Sequence, residues 1–256
     1  MQNVNVTKTR RLVECALLVA VATVLSVLKL VELPFGGSIT MASMLPLVIV
    51  AYRHGPLWGF GAGLSYGVIQ QLLGLKNLSY FTTWQSIMAV IFLDYLLAFA
   101  TPALAGFFRS VGTQRFGMTV GALSACFLRY VFHVISGATV WAGLSIPTQA
   151  ALGYSFGYNA TYMIPETIVT MFVGYYIGSV LDFTSENLRP YSAAREEKVP
   201  VLRWIAGIFI AGGLVFDITG LSSVSWTPVI IVSAAAAVIA AVLFCVSAKK
   251  SRVEAA

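Results

Sequence analysis

Ser86–Phe108 reads SIMAVIFLDYLLAFATPALAGFF, an apolar run broken by a single acid, Asp94. A helix needs about 20 apolar residues to cross a bilayer, and this stretch is long enough. It predicts a membrane span with a carboxyl group two to three turns in from one end. Working outward, seven more apolar segments appear, at Leu12–Val31, Met41–Tyr52, Leu57–Leu75, Gly117–Trp141, Tyr158–Leu181, Val201–Thr219 and Pro228–Val246. Met41–Tyr52 is short and carries Pro46, which predicts a half-helix or a strong bend. The composition agrees with a lipid-facing chain. Hydrophobic residues make up 58% and charged residues 10%, against roughly 25% charged in a soluble domain. The predicted fold class is therefore all-α, a polytopic membrane helical bundle. The apolar run after Lys8, Arg10 and Arg11 is too long for a cleavable signal, so it predicts a retained first span.

The charges orient the bundle. With a cytoplasmic N-terminus, Lys8, Arg10, Arg11, Arg53, Arg109, Arg115, Arg189, Arg195, Lys198, Arg203, Lys249, Lys250 and Arg252 fall in inner loops and ends. Lys76 alone falls in an outer loop, while Lys29 and Arg129 lie within spans. That bias satisfies the positive-inside rule and predicts cytoplasmic termini. Composition changes at Asp182. Residues 1–182 form a six-span body, 183–200 a polar linker, 201–248 a two-span hairpin and 249–256 a cytoplasmic tail.

Intramembrane ionisable groups are costly and usually functional. Asp94, Arg129, His133 and Glu166 qualify. Arg129, His133, Ser136, Gly137 and Trp141 recur at three- and four-residue spacing, as do Asn159, Tyr162 and Glu166. Such spacing puts each set on one helix face. With Asp94 and Tyr95, three polar stripes converge on a cavity open to the outside. The structural alternative is an ion-pair network, Arg129 meeting Asp94 or Glu166. Pro165 beside Glu166 frees a carbonyl one turn back. Trp141, Tyr154, Tyr158 and Tyr162 add aromatic faces, and the outer connections hold Phe35, Tyr80, Phe81 and Trp84; membrane anchoring alone accounts for some of these. A carboxylate among aromatic rings suits a flat, cationic, hydrogen-bonding ligand.

The nucleotide-binding loop Gly-x-x-x-x-Gly-Lys-[Ser/Thr] is absent, as are His-Glu-x-x-His and Gly-x-Ser-x-Gly, so neither ATP use nor enzyme chemistry is predicted by those routes. Cys15, Cys126 and Cys245 lie in apolar segments without Cys-x-x-Cys spacing, and no metal or other cofactor is expected. Ala16 and Ala20 on the first span are four apart, a spacing that lets another helix approach closely. That helix belongs either to the same chain or to a partner subunit.

Four stretches, Gly36–Gly63, Leu93–Phe108, RYVFHVISGATVW (Arg129–Trp141) and GYNATYMIPETIV (Gly157–Val169), make residues 10–181 similar to the thiamine-specific substrate-capture subunit (S-component) of energy-coupling factor transporters. The resemblance implies a six-helix body and a thiamine site near the outer surface of a bacterial cell membrane. It implies that Asp94 faces the aminopyrimidine with Tyr95 beside it, that Arg129 is a basic position of the site, and that His133 and Trp141 flank the ligand rings. Tyr154 and Asn159 would supply polar contacts. Tyr162 and Glu166 are counted with the site, and Phe35 stands where the family's loop Trp is expected. Asp94 is one methylene shorter than the family's usual Glu. The implied partners are an integral scaffold subunit docking at Ala16 and Ala20, two ATPase subunits and the bilayer. Alternatives are an S-component for another vitamin or a thiamine precursor, a proton-coupled secondary transporter using Asp94, His133 and Glu166, and a purely structural subunit. The two-span tail lies outside the resemblance.

Overall fold

The computed structural model describes residues 7–191, all within one compact unit. The predicted hairpin at 201–248, the tail at 249–256 and the second half of the linker lie outside the described residues. Six helices dominate: α1 (Lys8–Val27), α2 (Leu45–His54), α3 (Pro56–Leu73), α4 (Trp84–Phe108), α5 (Gln114–Thr139) and α6 (Gln149–Val180). Threonines start four of them. Thr7, Thr83, Thr113 and Thr148 each accept a first-turn backbone N–H on the side-chain oxygen, the usual way of satisfying those donors. α2 and α3 start with prolines in the first turn, where no N–H is needed. Among the described residues, α4, α5 and α6 are long and apolar enough to cross a membrane.

The short second segment is a half-helix. Every residue of α2 is buried. At about 1.5 Å per residue it covers about half of a roughly 30 Å hydrocarbon layer. Pro46 does not bend it, because it sits in the first turn. Gly55 alone separates α2 from α3, at φ +99 and ψ 170, a conformation essentially restricted to glycine.

The predicted bundle needs three local corrections. The first span stops at Val27, and the chain turns into an antiparallel hairpin, β1 (Lys29–Glu32) with β2 (Ser38–Thr40). Phe35 (φ 64) and Gly36 (φ 96) make its tip, where two positive φ values fit a tight hairpin turn. α6 begins at Gln149 rather than Tyr158, because the Thr148 cap precedes good helix formers, Ala150 to Leu152. A second short pair, β3 (Leu181–Asp182) with β4 (Arg189–Pro190), follows α6.

α3 and α4 touch backbone to backbone. A Cβ on Gly63 or Gly67 would meet the carbonyl oxygen of Phe99 or Tyr95. Within α4, Ile91–Leu97 winds as a π-helix, a widened turn that often marks functional sites, and Asp94 sits in it. Arg53, expected in an inner loop, is instead buried at 3% exposure. It binds Glu14 at 2.7 Å and the carbonyls of Phe183, Ser185 and Glu186. That knot ties α1 and α2 to the segment after α6.

Candidate functional site

α3, α4, α5, α6 and the β1–β2 hairpin enclose a cavity of about 720 Å³. Phe35, Asp94, Tyr95, Arg129, His133, Trp141, Tyr154, Asn159, Tyr162 and Glu166 all line it. The helical spacing brings them together: His133 and Gly137 follow one another up α5 to Trp141 just past its end, and Asn159, Tyr162 and Glu166 follow one another down α6.

Asp94 is the centre of the polar wall. Its Oδ1 lies 2.7 Å from His133 Nδ1. Its Oδ2 accepts from Ser136 Oγ at 2.6 Å and Trp141 Nε1 at 3.1 Å. Three side chains, two from α5 and Trp141 just beyond its end, therefore fix the carboxylate. Carboxylates have about four lone-pair sites, so capacity for a ligand donor remains. Tyr95 turns away and accepts from Asn77 at 3.2 Å. Asn159 donates to Ser155 and to the His133 carbonyl, and its Oδ1 accepts from the Tyr162 hydroxyl at 2.6 Å.

The expected ion pair of Arg129 with Asp94 or Glu166 does not form. Arg129 Nε donates to His133 Nε2 at 3.2 Å, and its guanidinium lies 4.5 Å over the Phe99 ring. His133 is one helical turn along, so Nε meets it first, while the guanidinium face rests on Phe99 of α4. Glu166 is occupied elsewhere. Its two oxygens accept from the Thr40 backbone N–H and hydroxyl, both at 2.6 Å. That acid pins the end of β2 to α6. No direct hydrogen bond joins it to the Asp94–His133 pair, although all three line the same cavity.

Aromatic rings cap the cavity. Trp141 has Phe81 at 4.8 Å, Tyr80 at 5.7 Å and Phe35 at 6.3 Å, centre to centre. Tyr154 stacks on Tyr158 at 6.2 Å. The Tyr158 hydroxyl donates to the Pro34 carbonyl and accepts from Gly37 N–H, holding the hairpin tip on both sides. At the rim Glu32 joins Lys29 at 2.8 Å and Lys76 at 3.6 Å. The hydrogen bond from Lys29, aided by Lys76, keeps its carboxyl below the usual range. Sequence reasoning put Ser136 and Tyr158 among the polar and aromatic faces of the cavity without giving them a role, and left Thr40, Asn77, Tyr80 and Phe81 outside the site. The outer-loop aromatics were visible as a cluster; Thr40 and Asn77 carried no periodic signal.

Ala16 and Ala20 lie on the exposed side of α1 with Leu12, Val13, Leu17 and Val24, while Cys15, Val19, Ala22 and Ser26 face the bundle. Within the described unit, nothing packs over the small-residue pair. No group of three or more potential metal ligands occurs among the described residues.

Comparison with known proteins gives this arrangement a family. The thiamine transporter ThiT of Bacillus subtilis is 33% identical over 175 residues, which is 64% of this chain and 87% of that protein. A solved structure of ThiT from Listeria monocytogenes shares the fold, with a TM-score of 0.54 at 23% identity over 67% of this chain and 94% of that one. The family model described as thiamine transporter protein matches residues 12–186, a range that contains all six helices except the first turn of α1, and the chain belongs to that family.

Proposed function

We propose that this chain captures thiamine at the outer face of a bacterial cell membrane, as the S-component of an energy-coupling factor transporter. The observation that carries the reading is Asp94, held by His133, Ser136 and Trp141 inside an aromatic-capped cavity. Thiamine presents an aminopyrimidine that donates hydrogen bonds and a thiazolium that carries a positive charge. Asp94 receives the amino group by a charge-assisted bond. Trp141, His133 and Phe35 flank the rings, with aromatic faces attracting the cation by ~0.5–2 kcal/mol each. Tyr154 and Asn159 give polar contacts, with Tyr162 behind Asn159. Phe35, on the hairpin held by Tyr158 and Glu166, closes over the ligand.

The body has six spans, the tail adds two, and both termini are cytoplasmic. The exposed Ala16/Ala20 face of α1 docks on an integral scaffold subunit, and two ATPases supply the energy that this sequence has no nucleotide loop to harvest. The chain binds and delivers; it performs no covalent chemistry.

Quenching of tryptophan fluorescence in the purified, detergent-solubilised protein tests the reading. Saturable quenching by thiamine, silent with riboflavin and weakened by Asp94→Asn and Trp141→Ala, is the expected result. Ligand-stripped protein that ignores thiamine would refute it.

A further inference from the structure

We infer that Arg129 is a positioning residue that acts through His133. It fixes the imidazole as the neutral Nδ1–H tautomer and so keeps Asp94 a charged acceptor. The functional consequence rests on reading Asp94 as the ligand's acceptor; the tautomer itself does not.

The argument is geometric. A guanidinium has donors and no acceptor. Arg129 Nε donates to His133 Nε2 at 3.2 Å, so Nε2 must present its lone pair. The ring's remaining proton then lies on Nδ1, 2.7 Å from Asp94 Oδ1. A doubly protonated ring would set N–H against N–H and place one cation beside another. The groups facing the ring are Asp94 from α4, Arg129 from α5 and the Tyr162 ring from α6 at 6.2 Å; Glu166 is taken up by Thr40. A free neutral imidazole favours the proton on Nε2; here Asp94 requires the proton on Nδ1, and Arg129, donating to Nε2, is the contact that keeps a second proton off the ring.

The arrangement matters for a cationic ligand. Protonated His133 would pair with Asp94 and cancel the charge that draws the ligand in. An unconstrained histidine takes its second proton near pH ~6.5, within the range a cell surface meets. Arg129 removes that competitor without touching the ligand.

The test is nitrogen NMR of the full chain, labelled with 15N-histidine, in detergent without ligand between pH 6 and 8. The chain has two histidines, and His133→Gln assigns the signal. Wild-type His133 should remain neutral and Nδ1-protonated throughout. Arg129→Met should free Nε2 to take a proton, so that the ring becomes doubly protonated toward pH 6 while Nδ1 stays protonated against Asp94. In that variant thiamine affinity should fall several-fold from pH 8 to pH 6, while wild type stays flat. Arg129→Lys, which still has a donor for Nε2, should restore the Nδ1–H form. A wild-type ring that is Nε2-protonated, or doubly protonated at neutral pH, overturns the inference without any variant. So does Arg129→Met with an unchanged ring and an equal loss of affinity at every pH, which would make Arg129 a direct ligand contact. The expected spectra in a protein that does not bind thiamine would refute the proposed function and leave the tautomer assignment standing.

Discussion

Asp94 is held by close neighbours on both carboxylate oxygens. His133, Ser136 and Trp141 lie within 2.7, 2.6 and 3.1 Å of its oxygens, so the carboxylate cannot swing to find a ligand. Asp94→Asn removes the charge and puts an amide donor against donors. A hydrogen bond to a charged group contributes about 1.5–3 kcal/mol, so thiamine affinity measured by titration calorimetry should fall about ten- to a hundredfold. Tyr158→Phe acts differently. It deletes the hydroxyl that holds Pro34 and Gly37, worth about 1 kcal/mol per bond, and leaves every wall of the cavity in place. Stopped-flow fluorescence should show thiamine leaving several-fold faster with little change in association. An unchanged dissociation rate would mean that the hairpin does not retain the ligand. These residue roles were unequally legible in the sequence. Arg129, His133 and Trp141 announced themselves by helical spacing on one face. The partner of Glu166 did not, because Thr40 lies 126 positions away and contributes a hydroxyl and a backbone N–H, groups with no signature in the sequence pattern. The alternative that paired Arg129 with an acid fails because charge complementarity ignores the nearer histidine on its own helix.

Elements place these residues by close approach more than by bulk. Gly59, Gly63 and Gly67 recur every fourth residue along α3; a carbon added at Gly59 would strike Ala51 of α2, and at Gly63 or Gly67 the backbone of α4. Small residues at such spacing are how membrane helices approach each other. The contact flanks the π-helical turn that carries Asp94 and Tyr95, so it sets the depth of the acid. Gly63→Ala should lower thermal stability in detergent, the direction overpacking takes at about 1–3 kcal/mol. Gly61→Ala, on the same helix with open space around it, is the matched control and should be neutral or slightly stabilising, since alanine is the better helix former. Equal melting of the two variants would count against the close contact. Hydropathy revealed most of the body elements, but not their edges. The hairpin after α1 was hidden because Lys29–Val31 is as apolar as a helix end, and the start of α6 because Gln149, Gly153, Ser155 and Gly157 make its first turns less apolar than a span.

At the scale of the whole molecule, the ligand cavity and the exposed face of α1 are built from different sides of the structure. Ser26 and Val27 at the top of α1 reach the cavity, whereas Ala16 and Ala20 do not line it. They sit among exposed Leu12, Val13, Leu17 and Val24, and the Glu14–Arg53 contact fastens this helix to α2 beneath them. Substrate capture and subunit docking should therefore separate by mutation. Ala16→Trp with Ala20→Trp fills the small-residue face without entering the bundle, because Cys15, Val19 and Ala22 are the side chains turned inward. Thiamine binding by the isolated double variant should match wild type. Reconstituted with scaffold and ATPase subunits in vesicles, it should lose most of its ATP-dependent thiamine uptake and fail to co-purify with the scaffold. Normal uptake would move the docking surface elsewhere. Uptake by the wild-type chain in vesicles that hold no ATPase would go further, because it would show a transporter that needs no partner and would revive a proton-coupled mechanism, although no direct hydrogen bond joins Glu166 to the Asp94–His133 pair.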